Sequence, residues 1–284
     1  MISKIGIIGA GTMGGGIASA CAISGFETVV YDINTEMLAK SKSGILKGYD
    51  KLLEKGKIDS VKRASAESNL NFIEDISMLT GCGLIIEAAF ENMELKKTLY
   101  TKLDEITGGE TILATNTSSY SITSISASVK NNIGRVVGMH FFNPASIMKL
   151  VEIVKGEFTS DETLKETEDI CRKLGKTPVI CKDTPAFIVN RVARPFYGEA
   201  LKILGEGGIE VGVIDGIMKN EGSFAMGPFE LMDLIGIDVN LSVTKSVYEA
   251  YFYDQKYKPH PIQQKMVESG LLGRKTGKGF YKYE

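Results

Sequence analysis

Histidine occurs only twice in this chain of 284 residues, as His140 and His260. The search for a side chain that exchanges protons near neutral pH is therefore short. No apolar run approaches the roughly 18 residues that cross a bilayer, so no membrane-spanning segment is expected. Neither sign of charge dominates: 33 Lys and Arg against 35 Asp and Glu leave a net charge of −2. That balance suggests neither nucleic acid nor an anionic membrane as a partner. The four cysteines, Cys21, Cys82, Cys171 and Cys181, form no C-x-x-C pair and no metal-like spacing. They read as reduced core residues of a cytoplasmic protein, with no metal site and no disulfide framework. No cleaved leader is expected, because an apolar strand starts within a few residues of Met1.

The first informative stretch is Ile5-Gly-Ile-Ile-Gly-Ala-Gly-Thr-Met-Gly14. A short apolar run enters a glycine turn, and a small-residue helical segment follows. Gly9 permits the tight turn, Gly11 lets backbone approach a pyrophosphate, and Gly14 lets helix and strand pack closely. Ala10, Thr12 and Met13 complete the turn, and the helix N-terminus behind it favours phosphate. A second strand, Thr28 to Tyr31, ends in Asp32, about twenty residues past Gly11. A carboxylate there accepts ribose hydroxyls and repels a 2′-phosphate, so NAD is favoured over NADP.

The rest of the chain alternates strand-like and helical segments. A helical stripe from about residue 35 to 56 carries Leu38, Ile45, Leu46, Tyr49, Leu52 and Leu53, with Lys40, Lys47, Lys51 and Lys55 opposite. With a second helix from Ile58 to Ser68 it forms a helical hairpin that an ordinary βαβ unit does not need. The lysine row reads either as a solvated face or as a cationic patch for a phosphorylated substrate handle. Further strands fall at 70–73, 84–87, 111–114, 135–139, 150–154 and 178–181. From Asp183 onward only helical patterns remain, beginning with a long helix over 186–205 that contains Pro195. The expected architecture is α/β: a Rossmann-like doubly wound, mostly parallel sheet with a helical-hairpin insertion, then an all-helical C-terminal domain. The domains are expected at 1–185 for NAD binding and 186–284 for substrate binding and dimerisation.

Ligands of such sheets sit beyond the carboxyl ends of the strands. His140 lies there, in His140-Phe-Phe-Asn-Pro144, where Pro144 restricts Asn143 to extended backbone. Taken alone, His140 reads equally as a structural histidine. Glu152 interrupts the apolar strand Lys149-Leu-Val-Glu-Ile-Val154, where a carboxylate is costly to bury without a partner. Pairing with His140 would resolve that cost and fix the imidazole tautomer; an edge strand facing water is the competing reading. Ser119 is a helix cap or a substrate contact. Asn190 would point an amide at a substrate oxygen. His260, between Pro259 and Pro261, reads as structural.

Together the motifs resemble the L-3-hydroxyacyl-CoA dehydrogenases. The matching stretches run nearly the whole chain: Gly9 to Gly14, Ala114 to Ser119, Gly138 to Pro144, Met148 to Glu152, Phe187 to Arg191, Met226 to Glu230 and Gly277 to Tyr281. The resemblance implies an NAD-dependent enzyme that interconverts short-chain L-3-hydroxyacyl-CoA and 3-ketoacyl-CoA as a homodimer or higher homo-oligomer. It puts catalysis on His140, Glu152, Ser119 and Asn190. Cofactor contacts fall on the glycine turn, Asp32, Glu91, Lys96, Ser119, Asn143 and Lys275, and coenzyme A contacts on Lys51 and Lys55. Two alternatives stand beside it: a related NAD dehydrogenase on a free hydroxy or sugar acid, and a non-enzymatic NADH-binding protein.

Overall fold

A computed structural model describes residues 2–283. The chain forms two compact units, Met1–Thr184 and Pro185–Glu284. The first is built on one eight-stranded sheet: β1 (Lys4–Ile8), β2 (Glu27–Tyr31), β3 (Leu70–Ile73), β4 (Leu84–Glu87), β5 (Ile112–Thr115), β6 (Val136–Phe141), β7 (Leu150–Lys155) and β8 (Thr177–Lys182). The spatial order is β3-β2-β1-β4-β5-β6-β7-β8. Every pair is parallel except β6 and β7, which run antiparallel. The central strands β4 and β5 are apolar up to their last residues, Glu87 and Thr115, because both faces are covered, as parallel sheets require. Their core includes Ile5, Ile7, Ile17, Val30, Leu84 and Ile86.

Six helices serve this sheet: α1 (Thr12–Ile23), α2 (Thr35–Glu54), α3 (Ser60–Ser68), α4 (Met93–Ile106), α5 (Ile122–Ser126) and α6 (Asp161–Lys173). The hairpin insertion is α2 and α3. Asn34 caps α2 by accepting from the Glu36 and Met37 amides, and Asp59 caps α3 through the Lys62 amide. Leu38, Ile45 and Tyr49 are buried, and the Tyr49 hydroxyl donates to Ser19 O at 2.9 Å, which docks α2 on α1. Leu53, at the end of the expected stripe, is 37% exposed because α2 outruns the surface it covers.

Three cysteines are buried, and burial pushes the Cys21 and Cys171 thiols up to about 12. Cys181 departs from the core reading. It lies half-buried on β8, the last strand of the sheet, where only one neighbour pairs.

The second unit holds α7 (Val189–Glu206), α8 (Val211–Asn220), α9 (Pro228–Ile235), α10 (Ile237–Ala250) and α11 (Pro261–Glu268). Helix α7 starts later than its apolar pattern predicts, because Ala186 and Phe187 both take left-handed backbone (φ +65° and +49°). His260 is not merely in a turn: its Nδ1 accepts from the Ile262 amide at the start of α11, with Pro261 in the first helical position.

Two buried aspartates close this unit. Asp215 on α8 accepts from the Phe229 and Glu230 amides at the start of α9, and from the Tyr281 hydroxyl at 2.8 Å. Asp233 on α9 accepts from the Phe280 and Tyr281 amides and from the Tyr283 hydroxyl, all within 3.0 Å. Burial, and then the hydrogen bond to Asp233, push the Tyr283 phenol up to about 12. Gly279 must be glycine here, since a Cβ would fall 2.1 Å from Asp233 Oδ1. Asp233→Ala should lower the stability of the helical unit by about 3 kcal/mol, because charge-assisted hydrogen bonds are lost and buried amides left unpaired. Urea unfolding followed by far-UV circular dichroism checks this; an unchanged midpoint refutes the strap.

Candidate active site

The turn after β1 is shaped by what has no room for a side chain. Gly9 has φ +97°, and a Cβ on it would lie 2.7 Å from Ala88 O. A Cβ on Gly14 would lie 1.8 Å from Gly9 O. Gly11 differs, since a Cβ there meets nothing within 4 Å. Its backbone therefore faces open space, where a pyrophosphate can come close. No side chain caps α1, so its first N–H groups have no side-chain acceptor. Ala10, Thr12 and Met13 contribute backbone here; Ala10 is buried and the Met13 side chain packs on the core.

Asp32 braces this turn from the end of β2. Its carboxylate accepts from the Ala10 amide at 2.7 Å and the Asn34 amide at 2.9 Å. Beside it lies a groove of about 400 Å³ lined by Gly9, Asp32, Ile33, Ile76, Phe90 and Leu95. An acidic group beside an apolar slot, next to an uncapped helix N-terminus, fits the adenosine and pyrophosphate of a dinucleotide.

At the same edge of the sheet, β6 carries His140 directly opposite Glu152 of β7. Their side chains share one face, and Nδ1 of His140 lies 2.7 Å from Oε2 of Glu152. Both are shielded, with side-chain exposures of 8% and 1%. A carboxylate at Nδ1 keeps the proton on that nitrogen in the neutral ring, so Nε2 is the atom that exchanges protons. The Phe142 ring packs 4.6 Å from the imidazole, and Asn116 Oδ1 accepts from the Phe141 amide, tying the end of β5 to β6.

Between turn and dyad stands an ionic cluster. Glu91 Oε1 accepts from the Thr117 hydroxyl (2.5 Å), the Ser118 amide (3.2 Å) and the Ser119 hydroxyl (3.2 Å). Its Oε2 lies 3.2 Å from the Lys96 ammonium, which is buried and also bound to Glu87 at 2.7 Å. Lys96, a cofactor contact by the resemblance, holds these two carboxylates with its ammonium. Ser119 is not the cap of α5, since Ser121 fills that place. Asn143 is exposed past β6, joined to Pro144 by a cis peptide. The loop behind it is clamped by buried Lys176, which donates to Ala145 O and Met148 O at 2.6 and 2.8 Å.

The remaining expected residues lie elsewhere. Lys51 and Lys55 are exposed at the C-terminal end of α2. The groove between α1 and α2, about 310 Å³, is lined instead by Lys40, Ser41, Gly44 and Gly48 from α2 and by Gly11 and Gly15. Asn190 is half-buried at the start of α7, and Lys275 pairs with both oxygens of Asp238, both within the second unit. The sequence places Glu87, Asn116 and Thr117 in polar clusters at the ligand edge without giving them individual roles, and it does not mark Lys176. Glu87 carried a usable signal, a carboxylate ending an apolar strand, the same one that marked Glu152. No group of metal-binding side chains occurs among the described residues.

Turn, cluster and dyad share the edge where doubly wound folds bind their ligands, which sets the protein among the dinucleotide-dependent oxidoreductases. Comparison with known proteins narrows the class. The 3-hydroxyacyl-CoA dehydrogenase NAD binding domain matches residues 4–184, and the C-terminal domain of the same family matches residues 187–283. The chain belongs to the 3-hydroxyacyl-CoA dehydrogenase family and is an NAD-dependent dehydrogenase.

It is 44% identical to a probable 3-hydroxybutyryl-CoA dehydrogenase from Deinococcus radiodurans, over 99% of this chain and 100% of that one. The solved (S)-3-hydroxybutyryl-CoA dehydrogenase from Ralstonia eutropha superposes with a TM-score of 0.95 at 40% identity, covering all of both chains. The 3-hydroxybutyryl-CoA dehydrogenase from Escherichia coli K12 superposes at 0.97 with 43% identity, and this chain spans 60% of that longer one.

The glycine geometry separates two substitutions. Gly11→Ala should fold with an unchanged melting temperature and raise the NADH dissociation constant about tenfold or more, through steric loss at the pyrophosphate. Gly14→Ala should lower the melting temperature as well, because its Cβ has no room. Fluorescence titration with NADH beside thermal melts checks both; wild-type affinity in Gly11→Ala rules out phosphate contact there.

Proposed function

We propose that the protein interconverts (S)-3-hydroxybutyryl-CoA and acetoacetyl-CoA at the expense of NAD(H), with His140 as the acid–base group. The observation that carries this reading is the buried 2.7 Å contact between His140 Nδ1 and Glu152 on the paired strands β6 and β7. When bound, NAD(H) supplies the hydride acceptor or donor. His140 Nε2 takes the proton of the C3 hydroxyl in oxidation and returns it to the C3 carbonyl oxygen in reduction. Glu152 holds the ring by Nδ1 and stabilises the imidazolium that forms. Ser119 and Asn190 orient the substrate oxygens. Glu91 and Asn143 meet the nicotinamide half of the cofactor, Asp32 the adenosine ribose, and Lys275 reaches the cofactor from the tail. Lys96 acts on it through Glu91.

The handle supports an acyl-CoA over a free acid. A free hydroxy or sugar acid has no use for the cationic α2 end at Lys51 and Lys55. A sensor that only binds NADH has no use for a proton relay.

We further propose a cytoplasmic homodimer formed through the helical unit, in keeping with four free thiols. Among the described residues no helix is long and apolar enough to cross a membrane. Val213, Ile217, Phe224, Leu234, Ile235 and Val239 of the helical unit are exposed, and apolar surface of that extent favours a second copy. Sedimentation equilibrium should return twice the 30.9 kDa chain mass; a monomer at micromolar concentration rejects the dimer.

His140→Ala should lower kcat for acetoacetyl-CoA reduction by about 10²–10⁴, with NADH affinity near wild type. Glu152→Gln should lower it too, since the imidazolium loses its counter-charge. Absorbance at 340 nm follows both, and wild-type turnover in His140→Ala refutes the assignment.

A further inference from the structure

Strand β4 ends on Glu87, a carboxylate with no accessible surface and no part in the chemistry just described. A charge so placed is tolerated only when paired and hydrogen-bonded. Glu87 is both. Its Oε1 accepts from the Lys96 ammonium and the Ala89 amide, each at 2.7 Å, and its Oε2 accepts from the Thr115 hydroxyl at 2.8 Å. Lys96 is equally buried, in the first turns of α4. One ammonium thus serves two carboxylates, the near contact to Glu87 and the longer one, 3.2 Å, to Glu91. Only Glu91 reaches the surface, and its other oxygen grips Thr117, Ser118 and Ser119. The order of dependence runs inward: the Ser119 turn rests on Glu91, Glu91 on Lys96, and Lys96 on Glu87.

We propose that Glu87 is a positioning residue for hydride transfer, acting by sharing the Lys96 ammonium with Glu91. With Glu87 charged, Lys96 binds Glu91 loosely through one oxygen, and the other oxygen stays on the Ser119 turn. With that charge removed, Glu91 becomes the only carboxylate of the cluster left to the ammonium and is drawn towards Lys96, off the turn. This rests on the reading of Ser119 as a substrate-orienting group. Glu87→Gln is the direct test, because its amide oxygen still accepts from Thr115 or Ala89 while the charge is gone.

The experiment is a double-mutant cycle of Glu87→Gln and Ser119→Ala, read as kcat and KM for acetoacetyl-CoA at saturating NADH. Glu87→Gln should lower kcat about tenfold or more with KM shifted by roughly twofold at most. The double variant should be no slower than the slower single one, because both changes act through one turn. A merely structural role predicts losses that multiply, and that result, or wild-type kcat in Glu87→Gln, overturns the proposal. Should Glu87→Gln fail to fold, Glu87→Gln/Lys96→Gln removes the ammonium that would draw Glu91 off the turn, so kcat within about twofold of wild type supports the proposal and a loss of about tenfold or more overturns it. If Ser119→Ala alone keeps wild-type kcat, the reading of Ser119 falls. Glu87→Gln is then cycled against Glu91→Gln, where a shared loss supports the proposal and multiplied losses overturn it.

Discussion

Burying a carboxylate at 1% side-chain exposure beside an imidazole depends here on the direction of one strand. Parallel strands need a crossover of a dozen residues or more, and their neighbours come from distant parts of the chain. Strand β7 instead turns back antiparallel on β6, so His140 and Glu152 face each other although only twelve positions apart. The reversal costs the sheet its uniform direction and in return sets a proton-exchanging pair at the carboxyl edge. The glycine turn, the ionic cluster and the clamp of Lys176 on the loop 145–148 all lie around that edge or stiffen it.

Three carboxylates stand in or just past apolar strands of the first unit: Asp32 after β2, Glu87 at the end of β4 and Glu152 within β7. None is left to water alone. Asp32 braces the backbone of the glycine turn, Glu87 takes a buried ammonium, and Glu152 takes an imidazole. Each does two things at once, satisfying its own burial and holding another group still. That is how a site built largely on loops reaches the rigidity that hydride transfer demands.

Much of this was legible in the sequence, for identifiable reasons. The glycine turn with Asp32 has fixed spacing, because backbone geometry dictates it. Glu152 stood out because an acid inside an apolar run must find a partner, and His140 was one of two histidines. What escaped depends on long-range placement. Nothing local in the sequence says that Lys96 turns inward between two glutamates, or that Lys176 reaches the loop after β6. The start of α7 escaped because left-handed backbone at Ala186 and Phe187 has no signature in those residue types, which rarely adopt it. The cysteine reading failed at Cys181 because an edge position is a property of the sheet and not of the strand.

The aspartate strap of the helical unit bears on how that unit is made. Helical domains ordinarily fold fast because their contacts are close in sequence. Here Tyr281 reaches Asp233 across 48 positions and Asp215 across 66. Closing loops of that size charges chain entropy before the hydrogen bonds return anything. The five helices can therefore form early while the unit stays unfinished, and its completion waits on the arrival of the tail, giving an all-helical unit the slow final closure more familiar from β-proteins.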